Sequence, residues 1–274
     1  MSVYSRYRPI SDIQKRQRII RAWRALLWGL DHWVLIFSVL FGAVNVLPFV
    51  APVWMHLGWT EPARWIYAMY SLLCHQMAQR SFFLFGQQPM YSLADLPLSL
   101  TGNTTTDMLA LRSFLGNPDL GWKVAWSDRM VYMYGAVLLA GMIFGGLRHR
   151  RPLHPLGLLT FALLLAPITI DGATHLISDI NGGLVAGFRY ANLWLADLTG
   201  NVLPTWFYVG DAFGSFNSWM RLISGLTFGF GCVWLAFPYL ERAISETAAE
   251  LRAKLARVQT LPLEVQSFNR ESTP

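Results

Sequence analysis

Trp33-Val34-Leu35-Ile36-Phe37-Ser38-Val39-Leu40-Phe41-Gly42-Ala43-Val44-Asn45-Val46-Leu47-Pro48-Phe49-Val50-Ala51-Pro52-Val53-Trp54 contains no charged residue. A helix rises about 1.5 Å per residue, so about 20 such residues cross the hydrocarbon of a bilayer. The run therefore predicts a transmembrane helix. Trp at both ends matches the interfacial belt of such helices. The run is too long for the apolar region of a secretory signal, and no small-residue cleavage site follows it. Asp31 and His32 mark its start. Asn45 and Pro48 interrupt its second half, where neighbouring helices must take up the freed backbone groups.

Composition agrees with that reading. The chain is 54% hydrophobic, only 14% charged, and holds twelve Trp, a departure from soluble usage in the direction of a bilayer protein. The formal net charge of +6 does not imply nucleic acid. The basic residues form short blocks beside apolar runs, where they orient spans and meet anionic lipid. Cys74 and Cys232 form no CxxC pair, so neither a disulfide framework nor a thiolate zinc knuckle is expected.

Working outward, residues 1–29 read as a cytoplasmic basic tail in contact with anionic lipid, carrying Arg6, Arg8, Lys15, Arg16, Arg18, Arg21 and Arg24. Three further apolar runs follow: Met130–Leu147, Leu156–Ile177 and Leu222–Leu240. Arg148-His149-Arg150-Arg151 after the first of these, and Arg242, Arg252, Lys254 and Arg257 after the last, belong on the cytoplasmic side. That orientation gives four spans in a bacterial cytoplasmic membrane, both termini inside, and two long outer loops at 87–128 and 178–220. Residues 30–240 form the bundle, and 241–274 a cytoplasmic amphipathic helix and tail. There Ile244, Ala248, Leu251, Leu255 and Val258 recur at three and four, with Glu250 and Lys254 paired on the other side. Such a face fits lipid headgroups or a partner helix.

Glu61–Gly86 is helical in pattern, with Pro62 in its first turn. An even number of crossings must separate the first span from the Met130 span, so this segment is expected as a re-entrant or interfacial helix. Leu193–Tyr208 offers a second interfacial piece. The expected fold is thus all-α: a polytopic transmembrane bundle of four spans, one re-entrant or interfacial helix and a C-terminal amphipathic helix.

The polar residues inside this frame are the candidate site. Cys74, His75, Gln76 and Arg80 lie in the Glu61–Gly86 segment, and Arg221 opens the last span. Asp171 and His175 are four apart and share one helical face. An ionisable pair at that depth is a functional-site hypothesis by default, while the alternative is an ion pair that only fixes packing. Arg80 is the expected counter-charge of Asp171, with Arg129 and Arg221 as rivals. Gly141 and Gly145, and likewise Gly225 and Gly229, have the spacing that lets membrane helices approach closely.

Cys74-His75-Gln76, Arg80-Ser81-Phe82, Gly86, Asp171-Gly172, Arg221, Gly225 and Gly229 together resemble the bacterial membrane-protein family known as domain of unknown function 2085. The resemblance covers roughly Ile66 to Gly231. It implies the topology and the choice of polar residues, and no activity. The chain departs from the family pattern in lacking a Cys-rich stretch before the Met130 span, although Ser127-Asp128-Arg129 and Tyr134 remain. It also carries His175 where Gln is commoner. If those cysteines ligate a metal in relatives, this chain has lost that site.

Four classes of function stay open. The leading expectation is a non-enzymatic accessory or scaffolding subunit of a larger complex, for instance of electron transfer or photosynthesis. It rests on the lack of a hydrolytic triad, phosphate loop or dinucleotide fingerprint. Partners would be other membrane subunits, met through the C-terminal helix and the outer loops. The alternatives are a metal-dependent membrane enzyme using Cys74, His75, Asp171 and His175, a haem- or (bacterio)chlorophyll-binding subunit using His32, His75 or His175, and a small ion or solute transporter. Bound lipid is expected in every case.

Overall fold

The computed structural model describes residues 13–260. In chain order its elements are α1 (Ile13–Asp31), α2 (Trp33–His56), α3 (Thr60–Tyr70), β1 (Ser81–Leu84), α4 (Thr104–Ser113), β2 (Gly116–Asn117), β3 (Gly121–Ser127), α5 (Asp128–Leu147), α6 (Leu158–Ala186), α7 (Phe188–Ala191), α8 (Leu193–Leu198), α9 (Thr205–Tyr208) and α10 (Phe216–Thr260). Four of the helices, α2, α5, α6 and α10, are long and apolar enough to cross a membrane. Two compact units result, one from 13–36 with 239–260 and the other from Phe37–Pro238.

In the first unit, Trp23, Leu27 and Leu30 of α1 pack against Ala248, Leu251 and Leu255 of α10. The amphipathic face read from the 240s is thus occupied by this chain's own α1. Trp33 Nε1 donates to Glu241 at 2.8 Å, and Arg252 pairs with Asp31. The stretch read as a basic tail is therefore helical from Ile13 onward; 1–12 and 261–274 lie outside the described residues.

The second unit holds the spans and the connections between them. Pro48 has no N–H to give Val44, four residues back. The carbonyl of Val44 instead accepts from Tyr70 Oη at 2.7 Å, which ties α3 to α2 at the point where Pro48 opened the ladder. Gly225 and Gly229 of α10 face α5. A Cβ on Gly225 would lie 2.9 Å from Tyr132 Cβ, and one on Gly229 2.6 Å from both Ala136 Cβ and the Met133 carbonyl. Gly141 serves a different contact, receiving the rings of Phe37 and Phe237. Gly225 and Gly229 thus meet α5 over Tyr132–Val137, not at Gly141.

The connection expected as loop over 87–128 contains α4 and most of a small antiparallel sheet in the order β1-β3-β2. Ser81 pairs with Ser127 and Phe83 with Lys123. This sheet departs from the all-α expectation. The helical pattern of Glu61–Gly86 also ends sooner than expected, at Tyr70, and Ser81–Leu84 pair with β3 instead. At 11 residues α3 is about 16 Å long, well short of a span. It packs with β3 on the end of α2 through Ala51, Met55, Ile66, Tyr67, Val124 and Trp126. α6 runs beyond the expected Ile177 to Ala186, with a break at Gly183, whose φ is 62°.

Candidate functional site

A group of buried charged residues of the second unit converges where α5 and α10 begin and at the second half of α6. Asp128 opens α5. Its carboxylate is buried and accepts from Arg221 Nε at 2.7 Å and from the Arg129 backbone N–H at 2.7 Å. Arg221 lies one turn and a half into α10, where helical spacing turns it toward α5. Its Nη1 donates to Asp211 Oδ1 and its Nη2 to the Asp211 carbonyl, both at 2.7 Å. Asp211 therefore binds Arg221 by side chain and backbone together. Its other carboxylate oxygen accepts from Arg80 Nε at 2.8 Å.

Arg80 continues the chain of contacts. One Nη donates to Tyr190 Oη at 2.5 Å, and that hydroxyl donates to Asp179 Oδ1 at 2.6 Å. Asp171 is held separately, by Arg129 Nη2 and by Arg189 Nη2, the latter at 2.7 Å. His175 bridges the two groups. Its Nδ1 lies 3.0 Å from the Asp171 carbonyl oxygen, and its Nε2 lies 3.9 Å from Asp211 Oδ1 without a hydrogen-bond partner. Burial alone would raise the Asp211 pKa, yet Arg80 and Arg221 outweigh it and hold the carboxyl well below its ordinary value. The reciprocal effect overcomes burial at Arg80 and raises its pKa.

The Cys74–Gln76 turn has a different role from the ionic group. Gln76 sits at φ 52°, left-handed backbone that costs an L-residue about 1–2 kcal/mol. Its side chain holds the turn: Nε2 donates to the carbonyls of Tyr67 at 3.0 Å and Ala125 at 2.8 Å. The Gln76 N–H reaches Cys74 Sγ at 3.3 Å, and that sulfur also donates to Ser127 Oγ at 3.3 Å. Beneath it is Lys123, fully buried, whose Nζ donates to the carbonyls of Arg112 at 2.6 Å, Gln76 at 2.7 Å and Leu111 at 3.4 Å. Burial lowers the Lys123 pKa to about 7.

The structure thus places Arg80, Asp171, His175 and Arg221 in one network, and puts Gln76 and Cys74 in the adjoining turn. Asp171 takes Arg129 and Arg189 as counter-charges; Arg80 belongs to Asp211. His75 is exposed. His32 lies between α1 and α2, its Nδ1 at 2.8 Å from the Trp28 carbonyl and its ring stacked on Trp28. The three histidines considered as axial ligands therefore sit in three separate surroundings. Among the described residues no three His, Cys, Asp or Glu side chains gather as a metal site.

Sequence reasoning passed over Asp128, Asp211, Arg189, Tyr190 and Lys123 as parts of the site. One signal was available for two of them. A guanidinium such as Arg221 at the head of an apolar run requires carboxylates near it, and Asp128 and Asp211 are among the few in the flanking connections.

No known family model matches the chain, and no solved structure matches it. The chain is similar to an uncharacterized protein of Methanocaldococcus jannaschii, 49% identical over 45 residues, which is 15% of this chain and 29% of that protein. The resemblance to domain of unknown function 2085 rests on the residues named above alone.

Proposed function

We propose that the chain is a non-enzymatic subunit of a larger complex in a bacterial cytoplasmic membrane, and that its ionic centre is a structural knot. The observation that carries this reading is the mutual engagement of the buried charges. Asp128, Asp171 and Asp211 each accept from guanidinium groups, and Arg80, Arg129, Arg189 and Arg221 each donate to carboxylates. A general base or nucleophile needs a group held back for the reacting atoms, whereas these carboxylates hold the connections onto the spans. Arg148–Arg151, between α5 and α6, lies on the cytoplasmic side in this reading, so the ionic centre faces outward. Around it α3 and α8–α9 form interfacial pieces, as their exposed side chains support: Leu193, Trp194, Leu198, Val202 and Trp206 are all open. Those side chains are the partner or lipid-contacting rim.

The test is native membrane solubilised in mild detergent and sized under native conditions. A particle in which the 31.0 kDa chain accompanies other membrane subunits at fixed ratio is expected. A chain that migrates alone, and that converts a membrane substrate at a rate abolished by His175→Ala, would sink the proposal.

A further inference from the structure

Beside the knot lies a cavity of about 120 Å³ lined by Cys74, His75, Arg80, Asp128, Arg129 and Arg221 among others. Three guanidinium groups and one carboxylate face it, so its wall carries cationic charge in excess. Asp171 and Asp211, which balance the remainder, are not among the lining residues. Donor capacity remains on two of the three cations. Arg129 binds Asp171 through Nη2 only, which leaves its Nη1 to donate. Arg80 engages Nε and Nη2. The first turn of α5 and the residue before it supply Ser127, Asp128, Arg129 and Met130 to the same wall.

A second cavity, of about 140 Å³, shares His75 and Met77 with the first and is otherwise formed by Thr105, Met108, Leu109 and Arg112. Its methionine and leucine side chains make it largely apolar. Each space is well below the roughly 300 Å³ of a drug-sized pocket. Side by side they fit a small charged head and the start of an apolar tail.

We propose that the first cavity binds a phosphate-type oxyanion through Arg80 and Arg129, with exposed His75 at the rim that the two cavities share. Arginine forks match tetrahedral oxyanions in geometry and charge, and the neighbouring apolar cavity favours a lipid phosphate over the free ion. The site goes beyond the subunit reading and does not depend on it.

The experiment uses the full chain in zwitterionic nanodiscs, with thermal unfolding followed by tryptophan fluorescence. One arm titrates inorganic phosphate; the other replaces part of the lipid with phosphatidic acid. A ligand that binds only the folded state raises the midpoint as its concentration passes Kd. Arg129→Gln and Arg189→Gln each remove one guanidinium from Asp171, but only Arg129 lines the cavity. Arg189→Gln is expected to keep the ligand-induced shift, whereas Arg129→Gln weakens apparent affinity at least about tenfold, as loss of a charge-assisted hydrogen bond requires. His75→Ala, at an exposed residue that leaves folding intact, is expected to weaken it as well. A shift from phosphatidic acid without one from millimolar phosphate assigns the lipid source, and the converse assigns the free ion. No shift in either arm, or a shift of equal size in Arg129→Gln and His75→Ala, overturns the site.

Discussion

Asp211→Asn tests the ionic knot at its most connected carboxylate. The substitution keeps shape and one acceptor oxygen but removes the charge that two buried guanidiniums share. Arg221 retains Asp128, at 2.7 Å, whereas Arg80 keeps only the neutral hydroxyl of Tyr190. Breaking a buried pair from one side costs about 3–5 kcal/mol, because the remaining charge stays out of water. That is a large part of the roughly 5–15 kcal/mol that holds a domain folded. For a chain of this size each 1 kcal/mol moves Tm by about 2–4 °C, so a drop on the order of 10 °C is expected in detergent, read from tryptophan fluorescence. The companion variant is Arg80→Leu with Asp211→Asn. It removes the stranded cation, leaves Arg221 with Asp128, and should recover about half of the loss. If Asp211→Asn unfolds within about 1 °C of the native chain, or the double variant is no better than the single one, the charges do not work as a knot.

Lys123 makes stability depend on pH. Its folded pKa, lowered to about 7, lies below its ordinary value of about 10.4, so the unfolded chain holds the extra proton between those limits. Stability should therefore rise with pH from about 7 toward 10, by up to about 1.4 kcal/mol per unit. In Lys123→Met the rise should vanish; a rise of the same slope there would assign it to another group. Gln76→Gly removes the same two side-chain bonds as Gln76→Ala but relieves the left-handed backbone, so it should be the more stable of the two by about 1 kcal/mol in chemical denaturation. Equal losses would show that the turn is not held at φ 52° in solution. Gly229→Ala puts a methyl 2.6 Å from Ala136 Cβ and from backbone, and should destabilise by about 1–3 kcal/mol. Gly141→Ala meets only the ring edges of Phe37 and Phe237 and should cost less in the same melt.

Burial in a bilayer leaves a long one-dimensional trace, which is why the apolar runs of α2, α5, α6 and α10 could be read directly. Their ends could not. α10 begins at Phe216, before Asn217, Ser218 and Arg221, because those polar side chains are buried and bonded within the fold. Nothing local distinguishes them from a loop. The same holds for the Cys74 segment, whose helical periodicity runs past Tyr70 although Gln76 leaves helical space and Ser81 pairs with Ser127. Asp171 and His175 were visible because four residues on a helix make a face. The Arg80–Asp211 pair joins residues 131 apart, a closure set by tertiary packing that no periodicity encodes.

Asp128 and Arg221 stand 93 residues apart, and that interval has a temporal meaning during biogenesis. At about 5–20 residues per second, α5 leaves the ribosome roughly 5 to 19 seconds before the guanidinium that neutralises its first residue. Through that interval the carboxylate lacks the guanidinium that neutralises it, and Gly225 and Gly229 cannot yet lie against Tyr132 and Ala136. The Arg221 side of the knot thus closes after the Arg129–Asp171–Arg189 side. A chain stalled before Phe216 would leave Asp128 without its guanidinium and the Tyr132–Ala136 face of α5 without the glycines that close on it.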